Sequence, residues 1–168
     1  MVALAPFHPL NRTHQIRYTY SFGQNLSLMG ALMVHGYHKN VGPSDAQRNS
    51  GLPEAQLQFK YNTKAFLGGF SDRYKSLTRR TETNFGYKTS QTVGRYNLHA
   101  FTKLTFNPVT IKLEGHYGEN LTHLVMIGGY GAAENPLLVD DYSYSNIKTM
   151  SVWGDIQTNH DQYVFALF

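Results

Sequence analysis

The sequence contains no cysteine, which excludes disulfide bridges, cysteine-ligated metal centres and thiol nucleophiles. Long apolar runs are missing as well. The longest uncharged ones, Leu26–Val34 and Leu124–Ala133, are about half of the ~20 residues that a membrane-spanning helix needs. The first residues, Met1–Pro6, lack the basic segment and the apolar core of a signal peptide.

The chain is also poor in charge. Asp, Glu, Lys and Arg make up 15% of the 168 residues, against roughly 25% in soluble globular domains. The 15 Lys and Arg exceed the 11 Asp and Glu, but they form no run of like charge, so we expect no nucleic-acid partner. Glycine (15 residues), tyrosine (12) and phenylalanine (10) are abundant. This composition favours a β protein with apolar residues at alternate positions.

Alternation of apolar and polar residues dominates the chain. In His14–Phe22 every second residue from Ile16 onward is apolar or aromatic, and the residues between are polar. Because a strand directs successive side chains to opposite faces, this pattern predicts a strand with one apolar face and one polar face. Similar or less regular patterns predict seven further strands over Leu26–His38, Glu54–Tyr61, Ala65–Lys75, Thr92–Phe106, Val109–Gly118, Asn146–Thr158 and Gln162–Phe168.

Short and long connections alternate between these strands. The short ones have the residues of tight hairpin turns and are Gly23–Asn25, Asn62–Lys64, Asn107–Pro108 and Asn159–Asp161. The long, mostly polar ones are Lys39–Leu52, Ser76–Gln91 and Glu119–Ser145. Such alternation is typical of an up-and-down barrel with short turns at one membrane surface and long loops at the other.

The length of the predicted strands favours the same architecture. Six of the eight run from 9 to 15 residues, whereas strands of soluble proteins cluster near 5–6 and membrane-crossing barrel strands need ~9–11. We therefore predict an all-β chain: an antiparallel up-and-down transmembrane β-barrel, or an open segment of one, with about eight strands. Residues 1–168 form a single barrel segment in this interpretation.

The polar parity of the strands predicts the lining of the barrel. It contains seven basic residues, namely Arg17, Lys60, Arg73, Lys75, Arg95, Lys103 and Lys112. The acidic residues of that parity are Glu54, Glu114 and Asp155. Charge of one sign along a narrow aqueous path favours ions of the opposite sign, so small anionic solutes are the expected cargo. The alternative is that these residues pair and fill the interior, since eight strands leave no open pore.

No pattern in the sequence predicts catalysis. His99 and His116 lie on neighbouring predicted strands with the same parity as Glu114, and they could form a cross-strand pair. We interpret these three residues as polar lining rather than as metal ligands, and we expect no cofactor. His123, Asp140, Asp141 and His160 lie in loops or turns, and no spacing connects them. The chain is therefore expected not to be an enzyme.

The segment Leu121–Tyr130 is unusually apolar for a long connection. It could fold inward as a constriction, pack on a neighbouring subunit, or form an additional strand. The sequence does not distinguish these three arrangements.

Several segments carry a resemblance to a known family. They are Asn11–Arg17, Pro53–Leu57, Gly115–Thr122, Met126–Tyr130 and Asn146–Trp153. Together they resemble outer-membrane porins of gut-type Gram-negative anaerobes, which are hypothetical proteins similar to the trimeric DcaP-like porins. The resemblance implies a place in the lipid of the bacterial outer membrane, a homotrimer, and diffusion of small anionic solutes through a basic constriction. It also implies further strands on both sides, so that this chain is a fragment of a larger barrel.

Two other functions fit the same strand pattern. In a soluble lipocalin-like barrel that binds an apolar ligand, Tyr18, Phe59 and Leu113 would point inward and the charged parity would face water. In a small structural barrel, the interior would be filled and no solute would pass. The direction in which the apolar face points separates the lipocalin-like barrel from the other two.

Overall fold

The computed structural model describes residues 13–34, 45–89, 91–134, 142–159 and 166–167. These residues form nine strands: β1 (His14–Phe22), β2 (Leu26–Val34), β3 (Glu54–Asn62), β4 (Phe66–Thr78), β5 (Thr92–Thr105), β6 (Val109–Glu119), β7 (Gly129–Glu134), β8 (Tyr142–Thr158) and β9 (Ala166–Leu167). The helical elements of the described part are α1 (Ala46–Ser50) and a 3-10 helix, η1 (Leu121–Leu124). Neither is long and apolar enough to cross a membrane. The prediction of an all-β chain is confirmed.

The strands form one antiparallel, up-and-down sheet. Neighbours in the sheet follow chain order from β1 to β6, then β8, which also pairs with β7 and β9. Within the described residues β1 pairs only with β2, so the sheet is open rather than closed into a barrel. Of the predicted strands Leu26–His38 and Gln162–Phe168, residues 35–38, 162–165 and 168 lie outside the described part.

The alternation of short and long connections is present in the fold. Three residues separate β1 from β2, β3 from β4 and β5 from β6, whereas the connections after β2, β4 and β6 are long. All the long connections consequently leave the sheet at the same end of its strands, and we call this end of the sheet the long-loop edge. The opposite edge carries the short turns.

The strand register assigns each residue to a face. One row of directly opposed residues runs from Arg17 through Ala31, Gln56 and Arg73 to Asn97. Since directly opposed residues lie on the same face, the register places all seven predicted basic residues on one face. We call it the polar face. The residues that alternate with these lie on the opposite face, which we call the apolar face; on β1 they include Ile16 and Tyr18.

Exposure differs sharply between the two faces. On the apolar face Ile16 is 81% exposed and Tyr18 72%, whereas on the polar face Lys75 is 1% exposed and Arg95 3%. The charged face is therefore covered around Lys75 and Arg95, although Arg17 and Lys103 on the same face are exposed. Burial of charged rather than apolar side chains is the reverse of the usual arrangement in a water-soluble domain.

Segments of two long connections cover the polar face near the long-loop edge. Ala46 of α1 packs against Leu77 and Val93. On the polar face, Leu77 is the last residue of β4 and Val93 is the first residue of β5. Gln47 donates a hydrogen bond of 3.4 Å to the carbonyl oxygen of Met33. Helix α1 therefore closes this end of the polar face over β2, β4 and β5.

The second covering segment interrupts the strand that pairs with β8. Glu119 of β6 lies opposite Lys148, and Gly129 of β7 lies opposite Ile147, so the register of β7 continues where that of β6 ends. Residues 120–128 leave the sheet between them. Gly128 and Gly129 return the chain with φ angles of 156° and 136°, a region that favours glycine.

This excursion combines two of the three arrangements predicted for Leu121–Tyr130. Its first part folds inward, where Leu121, Leu124 and Met126 form a buried cluster. Its last residues begin the additional strand β7. Val125 and Ile127 remain exposed.

We predict that Gly69→Ala lowers the free energy of unfolding by about 1–3 kcal/mol, the usual cost of overpacking. A methyl group at Gly69 would contact the carbonyl oxygen of Phe59 and lie 2.9 Å from Cζ of Phe101. The matched control is Gly30→Ala, also within a strand, where nothing lies within 4 Å of the new carbon. Urea unfolding in detergent micelles measures both. Equal stabilities of the two variants would contradict the packing.

Candidate functional site on the polar face

The seven predicted basic residues lie at different depths on the polar face. Lys75 and Arg95 are buried, Lys60, Arg73 and Lys112 are half-buried, and Arg17 and Lys103 are exposed. They fall into two groups. Arg73, Lys75 and Arg95 surround Glu54 near the long-loop edge, whereas Lys103 and Lys112 oppose each other near the short turns. Arg17 and Lys60 join neither group.

The group at the long-loop edge is a buried charge cluster. Glu54 begins β3, and Lys75 lies directly opposite Arg95 on β4 and β5. With Arg73 these residues line one narrow cleft together with His123. Three cations therefore surround one carboxylate. Burial of such a group is tolerated only when its polar atoms are paired.

His123 of η1 provides part of the pairing in this cluster. Its Nε2 lies 3.1 Å from Oε2 of Glu54, and its Nδ1 lies 3.4 Å from a guanidinium nitrogen of Arg95. The guanidinium can only donate, so Nδ1 accepts and Nε2–H donates to the carboxylate. This is the neutral form of the imidazole. The same Arg95 nitrogen also donates to the carbonyl oxygen of Asn120 at 3.0 Å.

Electrostatics agrees with a neutral His123. Its pKa is lowered to about 4, chiefly by burial; the hydrogen bond to Glu54 and the charge of that carboxylate raise it, and Lys75 and Arg95 lower it. Residues 120–128 are therefore attached to the buried charge cluster by hydrogen bonds at both nitrogens of the neutral His123 ring.

A second group of polar residues occupies the middle of the face. His99 lies opposite His116 on β5 and β6, and their rings stack at a centroid distance of 4.1 Å with an interplanar angle of 2°. Oε1 of Glu114 lies 3.3 Å from Nε2 of His99 and 2.8 Å from Nε2 of His116. The predicted cross-strand histidine pair is thus present, with a carboxylate oxygen between its nitrogens.

The third group lies nearer the short turns. Nζ of Lys112 donates to Oδ2 of Asp155 at 2.8 Å and to Oε1 of Gln157 at 3.0 Å. Lys103, opposite Lys112, is exposed. The face therefore presents accessible positive charge here, beside a lysine held by an acidic partner.

Sequence reasoning missed His123 and Asn120 as members of the site. Both lie on the 120–128 excursion, and their contacts with Glu54 and Arg95 join residues 69 and 25 positions apart in the chain. No local spacing encodes such contacts. The one available signal is the apolar character of the excursion, which indicates that it is buried.

We predict that His123 makes stability depend on pH between about 4 and 6.5. The unfolded chain protonates this residue below about 6.5 and the folded chain only below about 4. Its contribution is therefore complete above pH 6.5 and is lost as the pH falls toward 4, by up to ~3 kcal/mol. His123→Gln should unfold with a shallower pH dependence than the wild type. Urea titrations at several pH values, followed by Trp153 fluorescence, measure the slope, and parallel curves would contradict a neutral His123.

Comparison with known proteins adds no relative. No protein-family model, curated protein or solved structure matches the chain. The function is therefore inferred from the two faces of the sheet and from the residues that each one carries.

Proposed function

We propose that the chain is a segment of an outer-membrane β-barrel whose basic polar face lines a path for small polar and anionic solutes. The observation that carries this proposal is the reversed distribution of polarity over the sheet. Large apolar side chains are exposed on one face, and lysine, arginine and aspartate side chains are buried on the other.

A hydrocarbon environment accounts for the apolar face. Exposed large residues occur on every strand from β1 to β6 and on β8, including Leu57, Phe70, Leu98, Leu113 and Val152. An apolar surface of this extent, interrupted on β4 by the exposed Asp72, is unfavourable in water. Against lipid acyl chains it is the favourable arrangement, and between paired strands the backbone groups are hydrogen-bonded within the sheet.

Aromatic residues on the apolar face support the same environment. Tyr61 and Phe66, with ring centroids 6.1 Å apart, lie beside the short turns. Tyr96 and Tyr117, also 6.1 Å apart, lie toward the long-loop edge. Along β4, Phe66 and Tyr74 lie in the two zones, ~26 Å apart along the strand at ~3.3 Å per residue and ~20 Å apart along the membrane normal at a strand tilt of ~40°. Barrels carry such aromatic girdles on both sides of an apolar band ~25 Å tall.

The lipocalin-like function receives less support. It requires the side of Tyr18 and Leu113 to enclose an apolar ligand, yet both residues are exposed, and the covering segments α1 and η1 pack on the opposite face.

A structural barrel with a filled interior remains the second candidate, and a specific observation favours it. Helix α1, helix η1 and the buried cluster around Glu54 occupy the polar face at the long-loop edge. These segments could narrow a path or block it. Conductance distinguishes the two outcomes.

We predict that Leu98→Arg lowers the free energy of unfolding in phospholipid vesicles by about 2–4 kcal/mol, the cost of arginine at the middle of a bilayer. Leu98 lies at the middle of β5 and is 47% exposed. The control is Phe106→Arg, at a 54% exposed residue beside the short turn, where the cost should be at most ~1 kcal/mol. If Leu98→Arg cost less than ~0.5 kcal/mol, as on a water-exposed surface, the lipid assignment would fail.

We predict that the product of the complete reading frame conducts in planar bilayers with a preference for anions. Under a KCl gradient, Lys103→Glu should shift the reversal potential toward that of potassium, because it reverses an exposed charge on the polar face. Lys64→Glu, in the short turn between β3 and β4, is the matched control and should leave the potential near the wild-type value. A folded but silent protein would favour the filled barrel, and cation preference in the wild type would contradict the basic path.

A further inference from the structure

We propose that His99, Glu114 and His116 form a binding site for a divalent transition-metal ion, Zn²⁺ or Cu²⁺. This site goes beyond the proposed solute path and does not depend on it. It requires only the pairing of β5 with β6, which would be the same in a soluble or a filled barrel.

The ligand atoms already have the spacing of a metal site. One potential ligand atom from each of His99, Glu114 and His116 lies within 4.8 Å of the other two. The two nitrogen-to-oxygen distances are 3.3 Å and 2.8 Å. An ion ~2.0–2.2 Å from each ligand in a tetrahedral arrangement requires ligand atoms roughly 3.3 Å apart. Because the two imidazole rings stack in parallel, and an imidazole nitrogen binds a metal in the plane of its ring, both rings must tilt so that their Nε2 lone pairs converge on the ion.

The hydrogen bonding of His99 favours a cation there. Its Nδ1 lies 3.4 Å from Oγ of Ser71, an oxygen partner of the kind that orients metal-binding imidazoles through the distal ring nitrogen. A proton on Nδ1 leaves a lone pair on Nε2. That Nε2 is buried and makes no hydrogen bond within the described residues, although Oε1 of Glu114 is close by. In this tautomer, a metal ion between the two electron-rich atoms converts their repulsion into coordination.

The sheet fixes the backbone positions of these three residues. His99 and His116 are directly opposed, and Glu114 lies two residues before His116 on the same face. The nearest lysine along β6, Lys112, is engaged by Asp155 and Gln157. Two imidazoles and one carboxylate suit Zn²⁺ and Cu²⁺. With three protein ligands, one position stays open for water or a solute group.

Trp153 provides a local reporter of binding. It is the only tryptophan of the chain and lies directly opposite Glu114 on β8, so the two side chains are ~5 Å apart at Cβ. We expect CuCl₂ to quench its fluorescence saturably, at one ion per chain, in tag-free protein folded in detergent micelles. ZnCl₂ should reverse the quenching by competition.

Variants test whether the ion occupies this site. His99→Gln and Glu114→Gln should each weaken the Cu²⁺ affinity at least tenfold, and His14→Gln, at an exposed residue of β1, should leave it unchanged. Circular dichroism verifies that each variant is folded. Electron paramagnetic resonance of bound Cu²⁺ adds an independent readout, with two nitrogen ligands expected in the wild type and one in His99→Gln.

Other outcomes would overturn the proposal. Quenching that does not saturate, or that persists at wild-type affinity in folded His99→Gln, excludes the site. His35 and His38, three positions apart in the sequence, are the alternative pair of imidazoles. Loss of binding in a His35→Gln/His38→Gln double variant, with binding intact in His99→Gln, places the ion elsewhere. Each of these results stands whether or not the protein conducts, so failure of the metal site and failure of the solute path are separately observable.

Discussion

The structure depends on the two-residue period of its strands, held in one antiparallel register. Because successive side chains point to opposite faces, a shift of one residue would bring Lys75 and Arg95 to the face of Tyr74 and Leu98. Every charged contact on the polar face therefore requires the register that also aligns the apolar face. The polarity of the two faces therefore depends on the register in which the strands pair.

The buried side chains on the polar face of this sheet include charged residues such as Lys75, Arg95 and Asp155. Near the long-loop edge, Glu54 and a neutral His123 satisfy part of a strongly cationic wall. In the middle of the face, the Glu114 carboxylate contacts both His99 and His116. Nearer the short turns, Asp155 forms an ion pair with Lys112. Each group contains one buried or half-buried carboxylate. The basic residues outnumber these carboxylates, which leaves the face positively charged.

The two segments that cover the polar face, α1 and η1, determine where along it a solute could pass. Helices α1 and η1 concentrate at the long-loop edge, so the face is filled there and more open toward Lys103. A path for anions would narrow at the buried cluster, and the stacked histidines would lie between that cluster and the open end. A metal ion at His99 and His116 would add positive charge to the middle of the same path.

Much of the fold follows from the sequence alone, because alternation and turn residues act locally. The bounds of β1 and the face of each basic residue follow from local pattern, and so does the one-sided placement of the long connections. Only the tertiary structure decided that His123 meets Glu54, that residues 120–128 both fold inward and lead into β7, and that Glu114 lies between two imidazoles. These contacts join residues that are distant in the chain or diagonal across strands. Their geometry depends on packing and hydrogen bonding, which no periodicity encodes.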